Sequence, residues 1–200
     1  MIYKKIKCCR ICNSHKLSVI LDLGSQALTG KFSKSLKKTI KTPLSISLCR
    51  VCKFVQLTHD FNNSYLYNSD YGYESGINST MKNHLSNITK KIEKIKKLKR
   101  SSVVIDIASN DGTLLNSYKK KIIKVGIDPI LNRFKKNYNK IDYKISDFFS
   151  YQIFKKLNLG KADIITAFAV FYDIKNPNQF LKDIKNSLSK DGLFIIEQSN

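Results

Sequence analysis

The chain has 200 residues, 42% of them hydrophobic, and carries 36 lysines and arginines against 15 aspartates and glutamates, a formal charge of +21. That length and apolar content fit a medium domain, or a small domain followed by a medium one. They exclude a membrane span, because the longest apolar-dominated run, 164–171, is far short of the roughly 20 residues needed. The basic start, Met1 to Lys7, has no apolar signal core behind it, so a cytoplasmic protein is expected. The charge raises the possibility of nucleic-acid binding through phosphate contacts. Against it, only Arg10, Arg50, Arg100 and Arg133 are arginine, the type that grips bases and phosphates in bidentate fashion, and the lysines are spread along the whole chain. A solvated basic surface is the simpler reading.

Five cysteines stand at positions 8, 9, 12, 49 and 52, an odd number without an export signal, which argues against disulfides. Cys9-Arg10-Ile11-Cys12 and Cys49-Arg50-Val51-Cys52 are two Cys-x-x-Cys knuckles with 36 residues between them. Two such knuckles bring four thiolates to one tetrahedral Zn²⁺, and the metal then replaces a core too small to form. Cys9, Cys12, Cys49 and Cys52 are the expected ligands of a structural zinc with no open position for catalysis. Cys8 is a spare that could compete with Cys9, and His15 reads as a surface residue that could replace a sulfur. Short apolar runs, Val19–Leu21 and Leu44–Leu48, suit a ribbon of strands in a zinc module over residues 1–60.

Residues 61–100 read as an aromatic linker and an amphipathic helix. Tyr71-Gly72-Tyr73-Glu74-Ser75-Gly76 is loop-like, and its tyrosines suit either packing or a site. Met81, Leu85, Ile88, Ile92 and Ile95 recur at helical spacing, with Asn78, Ser79 or Thr80 as the cap. Lysines 90, 91, 94, 96 and 97 form the solvated face. The helix is expected to link the zinc module to the main domain and to pack against it.

From residue 101 apolar runs and helical patterns alternate, which predicts a doubly wound α/β domain with a parallel sheet. Strands are read at 102–107, 123–127, 141–145, 162–170 and 192–197, and helices at about 112–120, 130–138, 150–157 and 177–188. Val103 to Leu115 reads as strand, tight turn and helix start, a junction that lets backbone N–H groups approach a ligand. A buried strand followed by an ordinary turn is the plain alternative. Ligand contacts are expected from the carboxyl ends of the strands: Asp106 to Gly112, then Asp128-Pro129, Asp147-Phe148 and Ala167-Phe168-Ala169. A carboxylate at Asp128 can accept from both hydroxyls of a ribose, Asp147 can accept from an adenine amino group, and Phe148 can cover the ring.

The sequence resembles bacterial class I S-adenosylmethionine-dependent methyltransferases of the type that methylate carbon on nucleotide-linked keto-deoxysugars and begin with a four-cysteine zinc module. The likeness runs from Cys9 to Ser199. It rests on both knuckles, Leu21-Asp22-Leu23-Gly24, Gln56-Leu57, Tyr71-x-Tyr73-x-Ser75, Thr80-Met81-x-x-His84, Ser109 through Leu115, Gly126-Ile127-Asp128-Pro129 and Phe148-Phe149. It implies a Rossmann-like sheet, here incomplete with five strands over residues 101–200, preceded by the β-rich zinc module. Its implied cofactor is S-adenosylmethionine: Asp106, Ala108, Ser109, Asn110, Asp111 and Gly112 would surround the amino acid portion, Asp128 would hold the ribose, and Asp147 with Phe148 would meet the adenine. Ala108 stands where the family has Gly, a small restriction on backbone approach. Asp173 stands where the best-known sugar enzymes have a histidine, so the acceptor can differ.

The resemblance also implies a catalytic tyrosine, Tyr71 or Tyr73, working with a His-Glu-His cluster that would follow the present sequence. Family members continue for two more strands, so the chain is expected to be a fragment that binds cofactor weakly or not at all and does not turn over. The expected partner is a nucleotide-linked sugar, with neither nucleic acid nor membrane. A zinc-ribbon nucleic-acid-binding protein is the alternative reading, and a dinucleotide oxidoreductase is disfavoured because Gly112 is the one glycine in the turn.

Overall fold

Strands buried on both faces of a sheet read as near-continuous apolar runs, and strands with one wet face alternate. The chain has both kinds, in two units. The computed structural model describes residues 2–28, 40–68 and 70–198; the expected end of the resemblance at Ser199 lies outside them. One unit comprises Met1–Tyr73 and Lys175–Asn178, the other Glu74–Ile174 and Gln179–Asn200.

In the first unit, β1 (Tyr3–Lys5) pairs antiparallel with β5 (His59–Phe61). An antiparallel sheet of β2 (Leu17–Ala27), β3 (Lys41–Cys49) and β4 (Val55–Leu57) runs in that order. The short helix α1 (Asn63–Leu66) is capped by Asn62. The inward positions of β3 are polar: Thr42, Ser45 and Ser47 are buried with Cys49. Ser45 and Thr58 share a hydroxyl hydrogen bond. Among the described residues, Cys9, Leu28 and Cys49 are the buried hydrophobic residues of this unit. So little apolar burial does not hold a unit of this size together without a staple.

The second unit begins its regular structure with α2 (Ser79–Ile95). Asn78 is the cap, its side chain accepting from the amides of Thr80 at 2.8 Å and Met81 at 3.4 Å. The predicted apolar stripe holds at Leu85 and Ile92 but not at its end. Ile95 is 73% exposed, and Thr89, unread in the sequence, is buried beside Leu85 and Ile92. The Thr89 hydroxyl donates to the Ser86 carbonyl at 3.0 Å, so a polar side chain enters the core without an orphaned donor.

The main sheet is five-stranded and parallel: β6 (Val103–Ile107), β7 (Ile123–Ile127), β8 (Tyr143–Ile145), β9 (Ala162–Phe168) and β10 (Leu188–Glu197), ordered β10-β9-β6-β7-β8. The expected α/β class and all five strands are present. β9 stops at Phe168, short of the expected 170, because Ala169 turns into the left-handed region at φ 50°. β10 starts earlier than expected, at Leu188, with an irregularity between Leu188 and Leu193.

The helices are α3 (Thr113–Ser117), α4 (Tyr151–Lys155) and α5 (Pro177–Ser187), and the predicted 130–138 helix is instead a 3₁₀ segment, Leu131–Tyr138, kinked at Phe134. α3 is shorter than the expected 112–120 because Glu93 takes the amides of Lys119 and Lys120 at 3.1 and 3.2 Å.

Tyr138 is fully buried against this sheet. A Cβ on Gly126 would stand 2.7 Å from its Cε1, and one on Gly112 would meet the same ring at 3.3 Å and Ile141 Cδ1 at 2.8 Å. Both glycines therefore make room for one aromatic ring. Gly126→Ala should lower stability by about 1–3 kcal/mol through overpacking, read as a fall in the urea midpoint at unchanged slope.

Candidate functional site

The five residues after β6 form the turn on which the sequence reading centred. Ala108, Asn110 and Gly112 all have positive φ, at 55°, 49° and 76°. Glycine and asparagine tolerate that region, whereas alanine there costs about 1–2 kcal/mol. The departure at Ala108 is therefore one of backbone strain rather than of restricted approach.

The turn is held from several sides. Ile127 O accepts the amides of Ala108 and Ser109 at 2.9 and 3.4 Å, Asp128 Oδ2 accepts that of Asn110 at 2.8 Å, and Ser109 O accepts that of Gly112 at 2.8 Å. Tyr138 donates its hydroxyl to Asn110 O at 2.7 Å and lies 2.8 Å from Ser109 Oγ. Four of the five turn amides are thus committed inside the protein. The sequence suggested N–H groups free for a ligand, and the structure corrects this: the turn offers little to a phosphate.

What it offers is acidic. Asp106, 4% exposed in β6, accepts the Thr166 hydroxyl at 2.6 Å from the neighbouring strand. Burial pushes its carboxyl up to about 7, the Thr166 bond opposing, with Asp128 and Asp111 adding repulsion. Asp128, 5% exposed, also accepts the Ile130 amide at 2.8 Å. Burial raises it to about 6, with the amides of Ile130 and Asn110 pulling the other way. Asp111 is buried and takes the amides of Gly76 at 2.6 Å and Thr113 at 3.1 Å.

Along the edge at β8, Asp147 is exposed and its Oδ1 accepts the Phe148 amide at 2.7 Å. Phe148 is 45% exposed, whereas Phe149 packs edge-on to Phe180 at 5.8 Å. The Phe-Phe pair thus divides between surface and core. Strand order sets these groups side by side, the turn after β6, Asp128 after β7 and Asp147 with Phe148 after β8.

A second segment meets the turn that sequence reasoning did not bring there. Ser75 and Gly76 donate their amides to Asn110 Oδ1 at 2.9 Å and Asp111 Oδ2 at 2.6 Å. A Cβ on Gly76 would stand 2.6 Å from that same carboxylate oxygen. Glu74 pairs with Arg133 at 3.0 Å. A polar groove of about 610 Å³, lined by Gly76, Ile77, Lys82, Asp111, Thr113 and Asn116 among others, opens on this flank. Tyr71 and Tyr73 belong to the first unit, half-buried and 47% exposed respectively. Gly76, Gly126 and Tyr138 were missed, and the signal for the first two was present as lone glycines beside expected elements.

In the first unit, the Sγ atoms of Cys9, Cys12, Cys49 and Cys52 all lie within 4.8 Å of one another. Cys9 and Cys52 are 3.5 Å apart and Cys12 and Cys49 3.6 Å. A tetrahedral Zn²⁺ with bonds of about 2.3 Å has S–S edges of about 3.8 Å, so the cluster fits zinc. Each knuckle is followed by a left-handed residue, Asn13 at φ 59° and Lys53 at 65°. Gln56 clamps the first, accepting the Arg10 amide at 2.9 Å and donating to Cys8 O at 3.2 Å.

Backbone amides, Cys52's first, hold the Cys49 thiol down to about 6. At Cys52 the Phe54 amide pulls down, but burial and the three neighbouring sulfurs prevail and push it up to about 12. Four thiolates need a cation between them. Cys8 stays outside the cluster, and His15 bonds Lys7 O through Nδ1 at 3.0 Å, so neither is a ligand.

Zinc removal by a strong chelator should therefore unfold the first unit, seen as lost amide dispersion over residues 2–68, with one metal per chain by elemental analysis; retention of dispersion would contradict it. In the second unit the raised Asp106 carboxyl costs stability as pH climbs from about 4 through about 7, because the unfolded chain gives up that proton first. Asp106→Asn should flatten that slope and add up to roughly 4 kcal/mol at pH 8, measured by urea unfolding across pH.

The comparisons agree with this division. Residues 9–67 match the family described as "Putative zinc binding domain", and residues 78–200 match "Methyltransferase domain". No curated protein matches. Among solved structures, the chain is similar to the plantazolicin methyltransferase BpumL in complex with a pentazolic desmethylPZN analog and SAH, at 20% identity and TM-score 0.47, over 58% of this chain and 46% of that one. The complex of BpumL with a triazolic analog and SAH gives 20% identity and TM-score 0.45, over 56% and 44%. The chain thus spans about half the length of the structures it matches. Among the described residues no helix is long and apolar enough to cross a membrane. With a methyltransferase model covering 78–200 of its 200 residues, the chain belongs to the methyltransferase domain family and carries an N-terminal zinc-binding domain.

Proposed function

We propose that the chain binds S-adenosylmethionine at the carboxyl edge of its sheet and serves carbon methylation of a nucleotide-linked keto-deoxysugar. The observation that carries the cofactor is the chemistry of the turn. Four of its five amides are committed internally, while Asp111, Asp128 and Asp147 line the edge with no lysine or arginine among residues 108–112, 128–130 and 146–150. Such a surface suits a ligand with an ammonium and a sulfonium and disfavours a pyrophosphate. A carboxylate offers about four lone-pair sites, so Asp128, with two amides accepted, retains capacity for ribose hydroxyls. Asp147 and Phe148 take the adenine, and Ala108 through Gly112 surround the amino acid portion.

The acceptor rests on the likeness at Tyr71-x-Tyr73-x-Ser75 and Thr80-Met81-x-x-His84. Removing the proton next to a ketone gives an enolate, which attacks the sulfonium methyl in line. Tyr71 or Tyr73 supports that enolate, and zinc keeps the first unit folded.

Calorimetry with S-adenosylhomocysteine tests the cofactor. Saturable binding is expected, weakened about 10- to 100-fold in Asp128→Asn, the range for a hydrogen bond to a charged group. Absence of binding would overturn the reading.

A further inference from the structure

We infer that His84 and Glu197 form an acid–base dyad on the acceptor side of the sheet, with His84 taking the α-proton and Glu197 positioning it. The inference rests on the cofactor reading above. Strand order is β10-β9-β6-β7-β8. With adenine at the end of β8, ribose at β7 and the amino acid portion at β6, the cofactor fills three of the five strand ends. The acceptor then approaches the sulfonium from the β9–β10 half.

That half carries the dyad. Glu197 is the last residue of β10, and its carbonyl accepts the Ala169 amide at 2.8 Å, locking the ends of β9 and β10 together. His84 reaches it from α2, 113 residues away in sequence, with Nε2 at 2.8 Å from both carboxylate oxygens. The lead-in to α2 is bonded through Ser75 and Gly76 to Asn110 and Asp111, so α2 runs from the cofactor turn to the end of β10. Both side chains are 45% exposed, open to a substrate as a structural ion pair in the core is not.

The chemistry follows from the pairing. A carboxylate on Nε2 fixes the tautomer with its proton there, leaves the Nδ1 lone pair as the base and stabilises the imidazolium once formed. The α-C–H bond breaks with its proton going to Nδ1 and its electron pair into the enolate. The enolate carbon bonds the methyl as the S–CH₃ pair returns to sulfur, and His84, in contact with solvent, then releases the proton.

The test separates proton removal from methyl transfer. The zinc-loaded chain, saturated with S-adenosylhomocysteine, is incubated in D₂O with a thymidine diphosphate-linked 4-keto-6-deoxy sugar, and loss of the α-proton signal is followed by NMR. We expect catalysed exchange that falls about 100-fold or more in His84→Gln, with S-adenosylhomocysteine affinity and melting temperature unchanged. Glu197→Gln should slow exchange about tenfold at unchanged sugar KM, with partial rescue in Glu197→Asp. Bound S-adenosylhomocysteine with no exchange, or exchange indifferent to His84→Gln, overturns the dyad and leaves the cofactor reading standing. Failure to bind S-adenosylhomocysteine defeats both.

Discussion

The constraint on which the methyltransferase domain depends is the shape of the turn from Ala108 to Gly112. Three of its five residues are left-handed, one of them an alanine that pays steric strain for the conformation. Strain of this kind survives only where the surroundings over-determine it. Here the surroundings are the Ile127 carbonyl, the Asp128 carboxylate and the Tyr138 hydroxyl, all bonded to the turn, and a ring that fills the space left by Gly112 and Gly126. The turn is rigid before any ligand arrives, which lowers the ordering cost of binding.

Rigidity would serve any ligand; charge selects among them. The high positive charge of the chain is not spread evenly over the sheet. The loops entering β6 and β7, residues 96–102 and 118–122, hold seven lysines and arginines and no acid. The loops leaving β6, β7 and β8 hold Asp111, Asp128 and Asp147 and no base. A compositional bias towards lysine scatters lysines without regard to strand direction, so it does not account for this polarity. The two edges set up a field along the strands that favours a cation at the carboxyl end. Burial raises the carboxyls of Asp106 and Asp128 to about 7 and about 6, and at Asp106 the neighbouring Asp128 and Asp111 add to the rise.

The strands were legible because apolar, mostly β-branched residues dominate them: Val103–Ile107 is interrupted by Asp106 alone, and Ile123–Ile127 by Lys124 and Gly126. The zinc ligands were legible because a repeated Cys-x-x-Cys has few other uses. What stayed hidden depends on tertiary contact. Tyr138 stands in a lysine-rich segment with no motif around it, and its importance comes from two glycines that lie 26 and 12 residues before it. Thr89 lies outside the expected apolar stripe and is buried, since its hydroxyl finds a carbonyl one turn back. Ile95 read as core and proved exposed, because α2 ends there and the chain leaves through Lys96. His84 and Glu197 were both visible, but no local pattern joins residues 113 apart.

The zinc module obeys a different economy. Its inward face on β3 is made of Thr42, Ser45 and Ser47, and among the described residues its buried hydrophobic ones are Cys9, Leu28 and Cys49. Hydroxyls that pair with each other add about 1 kcal/mol apiece at best, whereas a structural zinc contributes of the order of 10 kcal/mol at neutral pH. The metal, not the packing, therefore decides whether this unit is folded. Tyr71 and Tyr73 close the same unit. Any role they have in the reaction is thereby tied to metal loading, although the four sulfurs leave zinc no open coordination position of its own.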